Sequence, residues 1–200
     1  MPLTQQEGTI LVHLARSTVD NFVRGTGTPE DEEWDGEFLS EVRGAFVTLK
    51  ELNGELRGCI GFPYPVKRLG DAVVEAAISA ASRDPRFEPV RSDELDELLI
   101  EVSALTKPES LPYRSPKELP AMVRIGTDGL MITSPGPGGL LLPQVATEYH
   151  MGPEEFLSQT CVKAGLMPDA WLTDRLTLHR FQAEIFAEVS PRGEVKRESG

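Results

Sequence analysis

At 200 residues and 22.0 kDa, with 20 Lys and Arg against 32 Asp and Glu, the chain has a formal net charge of −12. That length can bury a core without disulfide or metal staples, and 40% hydrophobic with 26% charged residues excludes wholesale disorder. The acidic balance argues against nucleic acid, whose phosphates are met by Lys and Arg, and no apolar run approaches the ~20 residues of a membrane span. The first residues, Met1-Pro2-Leu3-Thr4-Gln5-Gln6-Glu7, lack the basic start and apolar stretch of a signal peptide. Cys59 and Cys161 make no disulfide framework, which fits the cytoplasm.

In chain order, Thr4 and Glu7 read as a capping box, and Ile10, Leu11, Leu14, Thr18, Val19 and Phe22 as one apolar stripe. The spacing predicts a helix over 5–23, stopped by Gly25-Thr26-Gly27-Thr28-Pro29. Between Glu30 and Glu41 stand seven carboxylates and no basic residue; an exposed, mobile loop is expected, without a ligand spacing for metal. Gly44 to Leu49, the turn Asn53-Gly54 and the return Glu55 to Gly61 give the strongest hairpin signal. Asp71 is expected to cap a helix over 72–82, whose Ala72, Ala76, Ala77, Ala80 and Ala81 let it lie close to a sheet; Asp84-Pro85 ends it.

Leu98 to Leu105 reads as a strand, and Lys107 to Pro120 as a proline-punctuated surface loop. A second hairpin is expected from Met122–Gly126, the turn Thr127-Asp128-Gly129 and Leu130–Thr133. After a Pro135–Gly139 loop come a short strand, Leu140 to Gln144, and a helix from Pro153 to Lys163 closed by Gly165. Leu176 to Val189 is long and β-patterned, with a phase change near His179-Arg180 that suggests a bulge or bend. Hairpin, helix and long strand thus occur twice. The class is α+β, built from duplicated β/α units with a mainly antiparallel sheet, in one domain over 1–190 and a polar tail over 191–200.

In Leu56-Arg57-Gly58-Cys59-Ile60-Gly61, alternation puts Arg57, Cys59 and Gly61 on one face. A thiol two residues from a guanidinium is placed to favour the thiolate, and Gly58 and Gly61 allow a ligand or second backbone to approach. The bland alternative makes Cys59 a small buried hydrophobe and Arg57 a salt-bridge partner. Gln144 and Glu148 follow Pro143; they line a cleft with Arg57 and Cys59, or merely cap the next helix. His179 is a sheet histidine or a base near a bend. His13 and His150 read as exposed or structural, and Cys161 as a core thiol. These groups give no zinc spacing, and the Gly126…Gly129 and Gly136…Gly139 pairs lack the Lys-Ser/Thr of a phosphate loop. The residues name no cofactor.

The Leu56–Gly61 run resembles the signature of the AMMECR domain family, whose archaeal and bacterial members appear as protein A of the AmmeMemoRadiSam system. Further matching runs are Ala45–Leu49, Asp84-Pro85-Arg86-Phe87, Glu101–Ser103 with Leu105-Thr106, Gly139–Ala146 and Cys161–Leu166, so the resemblance covers roughly residues 5 to 190. One departure is at His150-Met151-Gly152, where many relatives carry a tryptophan. The resemblance implies duplicated β/α units around one curved antiparallel sheet with a larger and a smaller lobe. It also implies a pathway shared with Memo-like and radical-SAM proteins, and a signature cysteine in a functional cleft.

Three functions then compete. In the first, Cys59 is the nucleophile or redox thiol of an enzyme, with Arg57 as activator and Glu148 or His179 as base. In the second, an accessory binding module takes a small ligand or a partner through Arg57, Gly58, Gly61, Gln144 and Glu148. In the third, the motif is sheet packing alone.

Overall fold

The structure, a computed structural model, describes residues 2–27, 34, 36–134, 138–173 and 176–198. The chain folds into two compact units, Met1–Leu105 with Glu184–Ser199 and Thr106–Ala183. The first begins with helix α1 (Gln5–Arg24), strands β1 (Ala45–Glu51) and β2 (Leu56–Phe62), helix α2 (Leu69–Ser82) and strand β3 (Leu98–Leu105). The second holds β4 (Glu109–Ser110), α3 (Leu119–Met122), β5 (Gly129–Ser134), β6 (Gly139–Leu141), α4 (Pro143–Glu148), α5 (Pro153–Lys163), α6 (Ala170–Thr173) and β7 (Thr177–Phe181). Strands β8 (Ala183–Glu188) and β9 (Val195–Glu198) complete the first unit's sheet.

Local chemistry sets these elements. Thr4 and Glu7 form the expected reciprocal capping box of α1, and Gly25 closes the helix in the left-handed region at φ 72. In the β1–β2 turn Gly54 takes φ 88, and the Asn53 side-chain oxygen accepts the Glu55 N–H. The first sheet runs β2-β1-β3-β8-β9 and the second β4-β7-β5-β6. In each, the first strand of a hairpin is flanked by its hairpin partner and by the returning strand, β2-β1-β3 in one and β6-β5-β7 in the other. The fold class is therefore α+β and antiparallel, with the strands divided between two sheets.

The core of the first unit lies between its sheet and α1 with α2. Val47, Leu49, Ile100 and Val102 meet Leu11, Ala15, Val19, Val73, Ala76 and Ala77 there. In the second unit Leu130, Ile132 and Leu178 pack with Phe156, Leu157 and Cys161 of α5. Each hairpin's second strand offers its helix a glycine. A Cβ on Gly58 would lie 2.4 Å from the Ala80 carbonyl oxygen of α2, and one on Gly139 would lie 2.3 Å from the Ala164 nitrogen at the end of α5. Only the missing side chain permits either approach.

Several expectations change. Asp71 does not cap α2: that helix starts two residues earlier, and Asp71 makes a two-pronged ion pair with Arg68 instead. The second hairpin is β5–β6. Residues 122–126 are no strand, because the Asp128 carboxylate accepts both the Arg124 N–H and its guanidinium and closes 124–128 into a turn. Pro143, which has no N–H to give a sheet, starts α4 where a strand to Gln144 was expected. The long last strand breaks at Gln182, and its halves join different sheets. Val195–Glu198, expected in a polar tail, pair with β8. Of the acidic stretch, residues 30–33 and 35 lie outside the described residues, as do 135–137 of the expected loop. Glu37–Ser40 form a turn of 3-10 helix that buries Phe38. Among the described residues no helix is long and apolar enough to cross a membrane.

One buried charge pair ties the first unit together. The Arg16 fork donates to both oxygens of Glu188 and to the carbonyls of Leu95 and Leu98, while Glu188 also accepts the Ile100 N–H at 3.0 Å. Removing Glu188 leaves the buried Arg16 with the two carbonyls and a longer contact to Asp20 at 3.7 Å, which costs more than the pair itself is worth. Glu188→Ala is therefore expected to lower stability in urea unfolding by about 3–5 kcal/mol. Replacing both Arg16 and Glu188 by apolar residues of similar volume should cost clearly less than Glu188→Ala alone.

Candidate functional site

The signature strand β2 lies at one edge of the first sheet, and its register with β1 and β3 decides what surrounds Cys59. Thr48 stands opposite both Cys59 and Glu101, and Phe46 opposite both Gly61 and Ser103. Alternation then puts Phe46, Thr48 and Lys50, Cys59 and Gly61, and Glu101 and Ser103 on one face, away from the helices. The Thr48 hydroxyl donates to the Cys59 sulfur at 3.3 Å, and Lys50 donates to Glu101 at 2.6 Å. A thiol, a hydroxyl, a carboxylate and an ammonium thus share one patch. Cys59 is half-buried, while Thr48 and Ser103 are buried.

A loop just past α2 holds the outer side of β2. The Cys59 N–H donates to Asp84 Oδ2 at 2.8 Å, and Arg86 reaches the Cys59 carbonyl at 3.3 Å. Asp84 is buried and also accepts the Arg86 backbone N–H and two of its guanidinium nitrogens. In effect, Asp84 and Arg86 give the Cys59 peptide groups the partners that a further strand would supply. The Arg86 guanidinium, with help from the Cys59 N–H, holds the Asp84 carboxyl well below the usual carboxylate range.

Burial pushes the Cys59 thiol above its ordinary value. The Thr48 hydrogen bond and the Arg86 charge pull it down, while the Glu101 and Asp84 carboxylates push it further up. Among the described residues no histidine hydrogen-bonds to its sulfur. Raised in this way, the thiol favours its protonated form at neutral pH.

The other residues singled out in the sequence have different duties. The Arg57 fork is taken by Glu94 at 2.9 and 3.3 Å and by the Glu88 carbonyl at 2.9 Å. Hydrogen bonding from Arg57 in turn lowers the Glu94 pKa. Gly58 makes room for α2, as described above. A Cβ on Gly61 would meet the Phe46 ring and the Ala45 carbonyl at 2.4 Å, so Gly61 admits an aromatic ring of its own unit. Gln144 and Glu148 lie on α4 of the second unit, where Glu148 is exposed and Gln144 Oε1 is buried without a partner among the described residues. His179 of β7 is 3.2 Å from the Thr133 hydroxyl through Nε2. His13 and His150 are exposed, and Cys161 is fully buried.

Thr48, Lys50, Glu101, Asp84 and Arg86 escaped the sequence reading of the site. A signal existed for three of them. Thr48 and Lys50 in β1, and Glu101 with Ser103 in β3, are polar residues at alternate positions of otherwise apolar strands. Among the described residues no group of three His, Cys, Asp or Glu is placed to hold a metal ion.

Comparison with known proteins agrees with this architecture. The AMMECR1 family model matches residues 12–186. This chain belongs to the AMMECR1 family. A relative from Thermofilum pendens is 46% identical over 202 residues, spanning 96% of this chain and 95% of the relative. One from Methanothermobacter thermautotrophicus is 50% identical over 190 residues, spanning 94% and 97%. A crystal structure of an uncharacterised protein from Pyrococcus horikoshii superposes with a TM-score of 0.83 at 44% identity, covering 96% of this chain and 97% of that one.

Two outcomes follow from the geometry. Gly58→Ala forces a methyl group against helix backbone and should cost about 1–3 kcal/mol in thermal or urea unfolding. Asp84→Asn should cost about 2 kcal/mol at pH 7, because charge-assisted hydrogen bonds are lost. Because the folded pKa of Asp84 is depressed, its contribution is full above the unfolded value of ~4 and is lost as pH falls below it. The gap between the unaltered protein and Asp84→Asn should therefore narrow steadily in unfolding curves taken below about pH 4.

Proposed function

We propose that this protein, read as one AMMECR-type domain, is an accessory binding component that works in the cytoplasm with Memo-like and radical-SAM proteins, as the family resemblance implies. Its recognition surface is the sheet face carrying Cys59, Thr48, Glu101 and Lys50. The observation that carries this reading is the environment of the thiol. Burial and two nearby carboxylates push the Cys59 thiol up, and its sulfur takes the Thr48 hydroxyl, with no histidine hydrogen-bonded to it among the described residues. A nucleophilic thiol needs the opposite arrangement, with a depressed pKa or an adjacent base.

The same four side chains suit recognition. Lys50 and Glu101 offer a donor and an acceptor of opposite charge, the thiol is a weak neutral donor, and Thr48 turns its hydroxyl to the sulfur. The ligand is a small polar molecule, or a loop of a partner that carries both signs of charge.

Iodoacetamide labelling followed by peptide mass analysis tests this. The Cys59 rate should rise with pH without a plateau below pH 9, and it should not exceed that of a small free thiol at pH 7. Cys59→Ser should leave the association with a Memo-like or radical-SAM partner nearly intact. Glu101→Gln and Lys50→Met should each weaken it, by about tenfold, in calorimetry. A Cys59 rate that levels off near pH 7, with loss of a measurable turnover in Cys59→Ser, would restore the cysteine-enzyme reading.

A further inference from the structure

The second unit has an open sheet edge with a groove beside it, and neither belongs to the Cys59 face. Strand β4 is the outermost strand of its sheet, with Ser110 opposite His179 and Glu109 opposite Arg180. Just past it, the Leu111 N–H donates to the Leu178 carbonyl at 2.9 Å. Main-chain groups of an antiparallel strand alternate between facing the partner and facing away. The N–H and C=O of Ser110 therefore point away from β7, at the sheet margin.

Ser110 also lines a groove of about 810 Å³. Leu111, Pro112, Tyr113, Leu172 and Leu176 line it as well. Two of these are tied together: the Tyr113 hydroxyl accepts the Leu176 N–H at 3.0 Å and donates to the Leu176 carbonyl at 3.3 Å. Leu172 is 48% exposed, a large apolar side chain left facing water on α6. Arg114 also lines the groove and is exposed. Its guanidinium has no ion pair or hydrogen bond among the described residues, in a chain whose net charge is −12.

We propose that this edge docks an extended segment of a partner protein that carries apolar side chains beside a carboxylate. One peptide unit of the segment pairs with Ser110, as in strand addition at a sheet edge. Alternate side chains then enter the groove, and an Asp, a Glu or a chain-terminal carboxylate meets the Arg114 fork, which suits a carboxylate in two-pronged geometry. The positive charge of Arg114 favours an acidic segment over a basic one. Pro108 and Pro112 bracket β4 and keep the edge short, so that only a short segment fits and open-ended strand pairing is blocked. This docking is independent of the Cys59 face, and variants at Cys59, Glu101 or Lys50 should not affect it.

The test selects short random peptides displayed on phage against the full chain and against its Arg114→Glu variant, whose substitution lies on an exposed loop. The unaltered protein should enrich an apolar–any–apolar pattern next to Asp or Glu. A synthetic peptide of that consensus should bind Arg114→Glu at least about tenfold more weakly and Arg114→Lys only slightly so. Leu172→Lys, also exposed, should weaken it by a similar factor, and amide shifts on titration should cluster over 109–114 and 176–178. Selection of no consensus, or of a basic one, overturns the proposal. So does consensus binding that survives both Arg114→Glu and Leu172→Lys, or shifts that map elsewhere.

Discussion

Two missing Cβ atoms set the packing of both units. Gly58 and Gly139 occupy the second strand of their hairpins, and in each unit helix backbone sits where a side chain would project. Helix–sheet packing at that distance demands small residues on the helix as well, and the alanines of α2 supply them. The approach fixes where the helix ends, and so where the following loop begins. In the first unit that loop is Asp84–Phe87, which places Asp84 and Arg86 against the peptide groups of Cys59.

Seen this way, much of the Leu56–Gly61 signature is architecture. Leu56 and Ile60 flank the glycine that admits α2, Gly61 admits the Phe46 ring, and Arg57 binds Glu94 and Glu88. Cys59 is the residue of the run whose side chain faces other polar groups on the outer face. On that face it is joined by Thr48, Lys50 and Glu101 of the neighbouring strands.

Features set by neighbouring residues were legible in the sequence. The Thr4–Glu7 cap, the Asn53-Gly54 turn, the Pro153–Lys163 helix and the alternation of β2 all depend on contacts a few positions apart. Register and long-range pairing were not legible. Arg57 meets Glu94 across 37 positions and Cys59 meets Asp84 across 25, and a guanidinium two residues from a thiol looks like its activator until the distant carboxylate appears. The second hairpin was misplaced for a related reason. Thr127-Asp128-Gly129 has turn composition, but the Asp128 side chain spends it on closing a loop with Arg124.

The first unit is discontinuous in sequence, and this bears on its synthesis. Arg16 emerges early from the ribosome, yet Glu188 follows it by 172 positions. At about 5–20 residues per second, translation leaves the arginine without Glu188, and with Asp20 as its nearby carboxylate, for roughly 10–35 s. The stretch from Thr106 to Ala183 is complete before β8 and β9 exist. The later segment can thus reach its native packing first, while the earlier one waits for the last strands to close its sheet.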